Sequence, residues 1–240
     1  MNNQASCLCG SVRWEITAEP FYAFNCHCKL CRKAHSSAFG TYRFVKTEQF
    51  NWLSDTDTIR HYRSSHLLTR SFCGTCGSVV SYPSEQSQQF VAPAGCHDDG
   101  KKSDCDIFVA HRAPWYDITG DLPRHDDYPE YTGFERVEEE PLEPAPEGIV
   151  RGSCMCGTVK FEINEPFKTV PDAEFFTQVF CKICGSKMPR LDPGRGFAVI
   201  PFGALDDDHK AKPVDHLFTD YKAKWHEITG DLPVFKETLA

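Results

Sequence analysis

Eleven of the thirteen cysteines in this chain fall into clusters whose spacing suits metal ligation. The first cluster joins Cys7-x-Cys9 to Cys73-x-x-Cys76. Residues i and i+2 of an extended segment share a face, so Cys7 and Cys9 can reach one ion. The Cys73–Cys76 spacing followed by Gly77 reads as a knuckle that turns both sulfurs inward. Four thiolates make the closed tetrahedral set of a structural zinc site. The same set recurs as Cys154, Cys156, Cys181 and Cys184.

A third cluster differs in kind. Cys26-His27-Cys28-Lys29-Leu30-Cys31 offers three thiolates in one short run, with no second pair to complete them. Three protein ligands and an open position are the arrangement of a catalytic zinc, able to take water, hydroxide or an exogenous thiolate. His27 is a conceivable fourth ligand. In an extended segment, however, it points away from Cys26 and Cys28, which favours a surface histidine or one that supports a ligand. Cys96 and Cys105 flank a polar loop and admit three readings: unliganded thiols, a fourth ligand for the three-cysteine cluster, or a redox pair.

The elements that must position these clusters come in two matching sets. ASCLCGSVRWEIT at 5–17 matches GSCMCGTVKFEIN at 152–164, and FCGTCGS at 72–78 matches FCKICGS at 180–186. IFVAHRAPWYDITGDLP at 107–123 matches LFTDYKAKWHEITGDLP at 217–233. Three matches in one order indicate a duplicated domain. Residues 135–148 carry six Glu and three Pro, the composition of an exposed linker. The expected division is a first domain at 1–136, an acidic linker at 137–147 and a second domain at 148–240. Only 24 residues separate Cys156 from Cys181, against 63 between Cys9 and Cys73, so the second copy lacks 39 residues, including the counterpart of the three-cysteine run.

Alternation of Val12, Trp14 and Ile16 with polar neighbours marks a half-buried strand, repeated by Val159, Phe161 and Ile163. Further strands are expected at 38–45, 58–63, 67–72, 78–82, 89–92 and 106–110, with a short helix after Cys28. The fold class is mainly β: two tandem domains of small antiparallel sheets, each pinned by zinc.

A net charge of −8 argues against a nucleic-acid partner, since phosphate neutralisation needs a basic surface, and Arg60, Arg63 and Arg70 form no stripe. No apolar run is long enough to span a bilayer. The first residues, MNNQASCLCG, do not read as a secretory signal, so the chain is expected to be intracellular, in the cytoplasm, with reduced thiols.

Together these residues resemble the glutathione-dependent formaldehyde-activating (GFA) enzymes, a family that includes the GFA-like domain of centromere protein V. The first half carries CxCG, CxCxxC, FCGTCGS and APWYDI…LP in order over about 5–130; the second half, at 152–233, lacks CxCxxC and looks like a degenerate copy. The resemblance implies a zinc-pinned β-tent, with a structural zinc on Cys7, Cys9, Cys73 and Cys76. It places a second zinc on Cys26, Cys28 and Cys31, where the family's catalysis resides. It also implies a carbon–sulfur lyase activity joining glutathione and formaldehyde. One departure is Asp106, where the family often has His, as the second half does at His216. The expected function is therefore a lyase acting on a thiol and an aldehyde at the three-cysteine zinc; the alternative is a non-catalytic zinc-stabilised scaffold. For the acid that protonates the developing alkoxide, His27, His35, His61 and His97 qualify by residue type alone, each reading first as a solvent-exposed histidine.

Overall fold

The computed structural model describes residues 3–98, 101–135, 143, 145–165, 167 and 177–237. Most of the expected linker, residues 137–142 and 144, lies outside the described residues, as does residue 136. The chain opens with β1 (Gln4–Ser6) and β2 (Arg13–Ile16); β3 (Tyr22–Cys26) then runs into the one α-helix among the described residues, α1 (Lys29–His35), and β4 (Gly40–Lys46) returns. There follow β5 (Phe50–Trp52), β6 (Ile59–Ser65), β7 (Leu68–Cys73), β8 (Val79–Val80), β9 (Tyr82–Pro83), β10 (Gln89–Pro93), β11 (Cys105–Ile107) and β12 (Arg124–His125). Beyond the acidic segment come β13 (Val150–Ser153), β14 (Lys160–Ile163), β15 (Arg190–Asp192) and β16 (Phe197–Val199). The protein is mainly β, as the alternation patterns require.

A six-stranded sheet of order β12-β11-β3-β4-β10-β9 divides two cores. Side chains alternate across it. Val45 and Ala92 face a core with Trp14, Val12, Ile16, Cys7 and Cys73. Phe44 and Val91 face the other, with Phe24, Cys26, Cys31, Ile107 and Phe108. Six consecutive residues of β4, from Gly40 to Val45, are buried because both faces are covered. The one fully buried charge on it, Arg43, donates to the Lys101 carbonyl at 3.0 Å.

Short strands such as β1, β5, β12, β15 and β16 were not expected, and the central sheet itself departs from expectation. Strand β3 was not foreseen, because Tyr22-Ala23-Phe24 lacks alternation for the same reason as β4: both its faces are packed. The sheet is also not purely antiparallel, since β11 pairs in parallel with both β3 and β12.

The halves pack against each other through equivalent residues. Gly77, at φ +69°, leaves no room for a side chain because Phe180 lies against it; a Cβ there would meet the ring at 2.4 Å. Gly185, at φ +77°, is covered in the same way by Phe72, at 2.6 Å. Each Phe opens one CxxC motif and each Gly closes the other, so the contact is reciprocal. Thr119 and Thr229, the same residue of the two ITGD turns, share a hydrogen bond of 2.6 Å.

Candidate metal centre

The two four-cysteine groups are built from the same local bonds. The Cys7 amide donates to the Val12 carbonyl and the Gly10 amide to the Cys7 carbonyl; Cys154 to Val159 and Gly157 to Cys154 repeat them. At the knuckles, Cys73 donates to Ser78 and Gly77 to Cys73, matched by Cys181 to Ser186 and Gly185 to Cys181. Folding the chain back this way aims four sulfurs at one point. Sulfur–sulfur separations are 3.5 Å for Cys7–Cys9, 3.8 Å for Cys9–Cys73, 3.3 Å for Cys154–Cys156 and 3.7 Å for Cys156–Cys181. A tetrahedral ion with metal–sulfur bonds near 2.3 Å requires sulfurs about 3.8 Å apart. The donor sets fit. All thirteen cysteines are free thiols rather than disulfides.

The three-cysteine group sits at the junction of β3 and α1. Cys26 ends the strand, Cys28 caps the helix by accepting from the Cys31 amide, and Cys31 lies in the first turn. Their three sulfurs lie within 4.8 Å of one another, and among the described residues no fourth Cys, His, Asp or Glu joins them. Arg70, buried on β7, donates from Nη2 to Cys31 Sγ at 3.5 Å and from Nη1 to Tyr42 Oη at 2.9 Å. His35 Nε2 meets the same hydroxyl at 2.9 Å. Contacts from the Cys26 and Cys28 sulfurs, and then the Arg70 guanidinium, hold the Cys31 thiol well below its ordinary range. Burial pushes the Cys26 thiol up. Burial also lowers His35 to about 4, so it serves as a neutral partner to Tyr42.

Above the three sulfurs opens a cavity of about 100 Å³. Phe24, Phe44, Tyr82, Val91, Ile107 and Tyr128 are among the side chains of its wall, which Arg70 and Tyr42 join beside the sulfurs. Ser84, Gln86 and Glu135 also line it, and of these Gln86 and Glu135 are exposed. The arrangement can hold an ion on three thiolates and admit a fourth ligand from a water-poor, largely apolar space.

Several expectations need correction. His27 is not a ligand, nor is it on the surface. It is 1 % exposed, its Nε2 lies 2.8 Å from Asp106 Oδ1, and its ring packs against Phe39 and Tyr116. Asp106 is thus used in a buried pair on the face of β11 away from the cavity, which Ile107 lines instead. Neither Cys96 nor Cys105 completes the three-cysteine group. Cys96 packs with the core around Cys7 and Cys105 with the core around Cys26, which also rules out their pairing. Burial raises Cys96 to about 12 and Cys105 to about 11, the state of inert thiols. His97 is buried, accepting from Trp14 Nε1 at 3.1 Å through its ring and from Trp225 Nε1 at 3.2 Å through its carbonyl. His61 is exposed and bonded to Ser71, away from the cavity.

Arg70, Tyr42 and the aromatic wall escaped the sequence reading. A usable signal existed for one of them: Arg70 interrupts the strand Leu68–Cys73, where a charge must either face water or find a buried anion.

Residues 2–111 match the family model described as glutathione-dependent formaldehyde-activating enzyme. An uncharacterized lyase of Schizosaccharomyces pombe is 26 % identical over 90 residues, which is 37 % of this chain and 64 % of that protein. The chain thus matches a little under two thirds of the relative's length. The crystal structure of a Rhodobacter sphaeroides protein, 17 % identical, aligns over 41 % of this chain and 90 % of its own, with a TM-score of 0.33. Among the described residues no helix is long and apolar enough to cross a membrane.

Proposed function

We propose that this chain is a zinc-dependent GFA-like carbon–sulfur lyase, joining a thiol of the glutathione class to an aldehyde over Cys26, Cys28 and Cys31. One observation carries the reading: two cysteine groups have four sulfurs each, whereas the third has three and faces a cavity. Zinc bound there supplies a charge that favours the thiolate form of an incoming thiol. Attack of that sulfur on the aldehyde carbon forms one C–S bond. The carbonyl π pair moves to oxygen, which takes one proton, giving a thiohemiacetal; the reverse step is the lyase direction. The chain's own part is positional and electrostatic. Arg70 sets a fixed positive charge beside Cys31 and is itself held by Tyr42, which His35 supports. The aromatic wall keeps water away from the carbonyl carbon.

The second half, in this reading, is a degenerate copy that holds a closed zinc and braces the first. The recurring backbone bonds and the reciprocal Gly–Phe contacts support duplication; the absence of a counterpart to Cys26–Cys31 supports loss of the reaction from that copy. These contacts also favour one element of the scaffold alternative, namely that the second half acts by support alone.

Cys28→Ser separates the readings. The lyase expectation is a folded protein that has lost one of three zinc ions, by plasma mass spectrometry, together with all thiol–aldehyde turnover. Unchanged turnover would refute catalysis at the three cysteines; no turnover in the parent protein would leave the scaffold.

A further inference from the structure

We propose that the cavity above the three cysteines is a subsite for a neutral, ring-sized apolar group carried by the substrate. The inference rests on reading the three-cysteine group as the reaction centre, and it names what that centre accepts beyond a sulfur and a carbonyl.

Consider what the wall can and cannot bind. Phe24, Phe44, Phe108 and Tyr128 contribute rings to the wall, with Phe108 edge-on to Tyr128 at 4.9 Å. Such walls favour a flat apolar group, stacked or edge-on. The buried cation, Arg70, is already directed at Cys31 and Tyr42. The carboxylate of Glu135 stands exposed at the mouth. Glutathione carries two carboxylates and an ammonium. Placed inside, its carboxylates would exchange water for a largely apolar wall in which the polar side chains besides Arg70 and the tyrosines are Ser65, Ser84, Gln86, His111 and Glu135. The charged ends of a peptide thiol are therefore better solvated outside, with its sulfur at the centre. The space beside that sulfur remains to be filled.

Formaldehyde has no substituent to fill it. A cavity of about 100 Å³ approaches the size, about 150 Å³, at which an apolar void binds benzene. Here the cavity is also open at one end, so a ring need not be wholly enclosed. An aromatic or branched-chain aldehyde, or its thiohemiacetal, matches the space; an anionic one does not.

The test uses 4-fluorobenzyl alcohol, an unreactive neutral ring, titrated against the full-length protein as purified and followed by fluorine NMR. Saturable binding is expected. Leu68→Trp, which fills the cavity from a half-buried position, should weaken it at least tenfold. Phe134→Ala, which trims a half-buried wall residue outside the strands, should weaken it threefold or more. Absence of saturable binding, or binding indifferent to both substitutions, overturns the subsite. Turnover of glutathione with either formaldehyde or benzaldehyde, measured on the same preparation, reports on the lyase reading alone. Turnover without ring binding would sink the subsite and spare the lyase; ring binding without any turnover would do the reverse.

Discussion

Lys33 offers the sharpest test of how the second half supports the three-cysteine centre. It lies on α1, two residues beyond Cys31, and is 4 % exposed. Its Nζ reaches Asp206 Oδ1 at 2.7 Å, the Ser153 carbonyl at 2.8 Å and Ser153 Oγ at 2.5 Å, all in the second half. Burial lowers the Lys33 ammonium below the usual lysine range even with Asp206 beside it, so desolvation outweighs pairing. By that sign the ion pair positions the helix more than it stabilises the fold. Lys33→Met should nonetheless be costly, because Asp206, its side chain only 10 % exposed, loses its nearest cation. Breaking a buried pair from one side costs about 3–5 kcal/mol. Asp206 keeps a hydrogen bond from Ser153 Oγ at 2.6 Å and Lys29 at 3.5 Å, which places the loss near the lower end, about 3 kcal/mol. In urea this is a midpoint shift of roughly 1 M or more. Lys33→Met with Asp206→Leu should recover stability to within about 1 kcal/mol of the parent, since an apolar pair of similar volume replaces the ions. The assay is equilibrium unfolding of all four members of the cycle. A single-variant loss below about 0.5 kcal/mol, or a double variant no more stable than the single, would refute the reasoning.

Acid lability should carry a signature of His35. Its folded pKa is depressed to about 4 from 6.5, so only the unfolded chain takes up a proton between those values, and stability falls as pH drops through that window. His35→Gln should reduce the difference in unfolding free energy between pH 6.5 and pH 4.5 by roughly 2 kcal/mol; an unchanged difference would contradict the burial of that ring. Arg70→Met should lower thiol–aldehyde turnover at least tenfold while leaving zinc content intact, measured by initial rates and metal analysis. Gly185→Ala forces a left-handed alanine against the Phe72 ring and should cost about 2–4 kcal/mol in the same unfolding assay. Cys181→Ser should release one zinc and, by unfastening the residues around Ser153 and Lys187 that hold α1, reduce turnover at a distance; full activity would show the halves to be independent.

Cysteine spacing determined a good deal by itself. The two-residue and three-residue intervals are short enough for local backbone geometry to bring the sulfurs together, so the three ligand groups were readable without tertiary information. Strand periodicity was readable where one face meets water, as in β2, where Trp14 and Ile16 are buried and Arg13 is exposed. It failed at β3, where burial on both faces erases the alternation; β4 is packed on both faces too, yet its span was expected as the strand at 38–45. What surrounds the three cysteines was decided only by tertiary structure. Arg70 is 39 residues from Cys31 in the chain, and Asp106 is 79 from His27. Only the pairing of β11 beside β3 and the approach of β7 bring them together. The fates of His27, Cys96 and Cys105 had the same origin, because burial and partner are properties of the packed cores and not of residue type. The sequence alone therefore determined which atoms can bind metal. Tertiary structure decided what the open centre faces, since a cavity wall assembles from strands distant in the chain and leaves no local pattern to read.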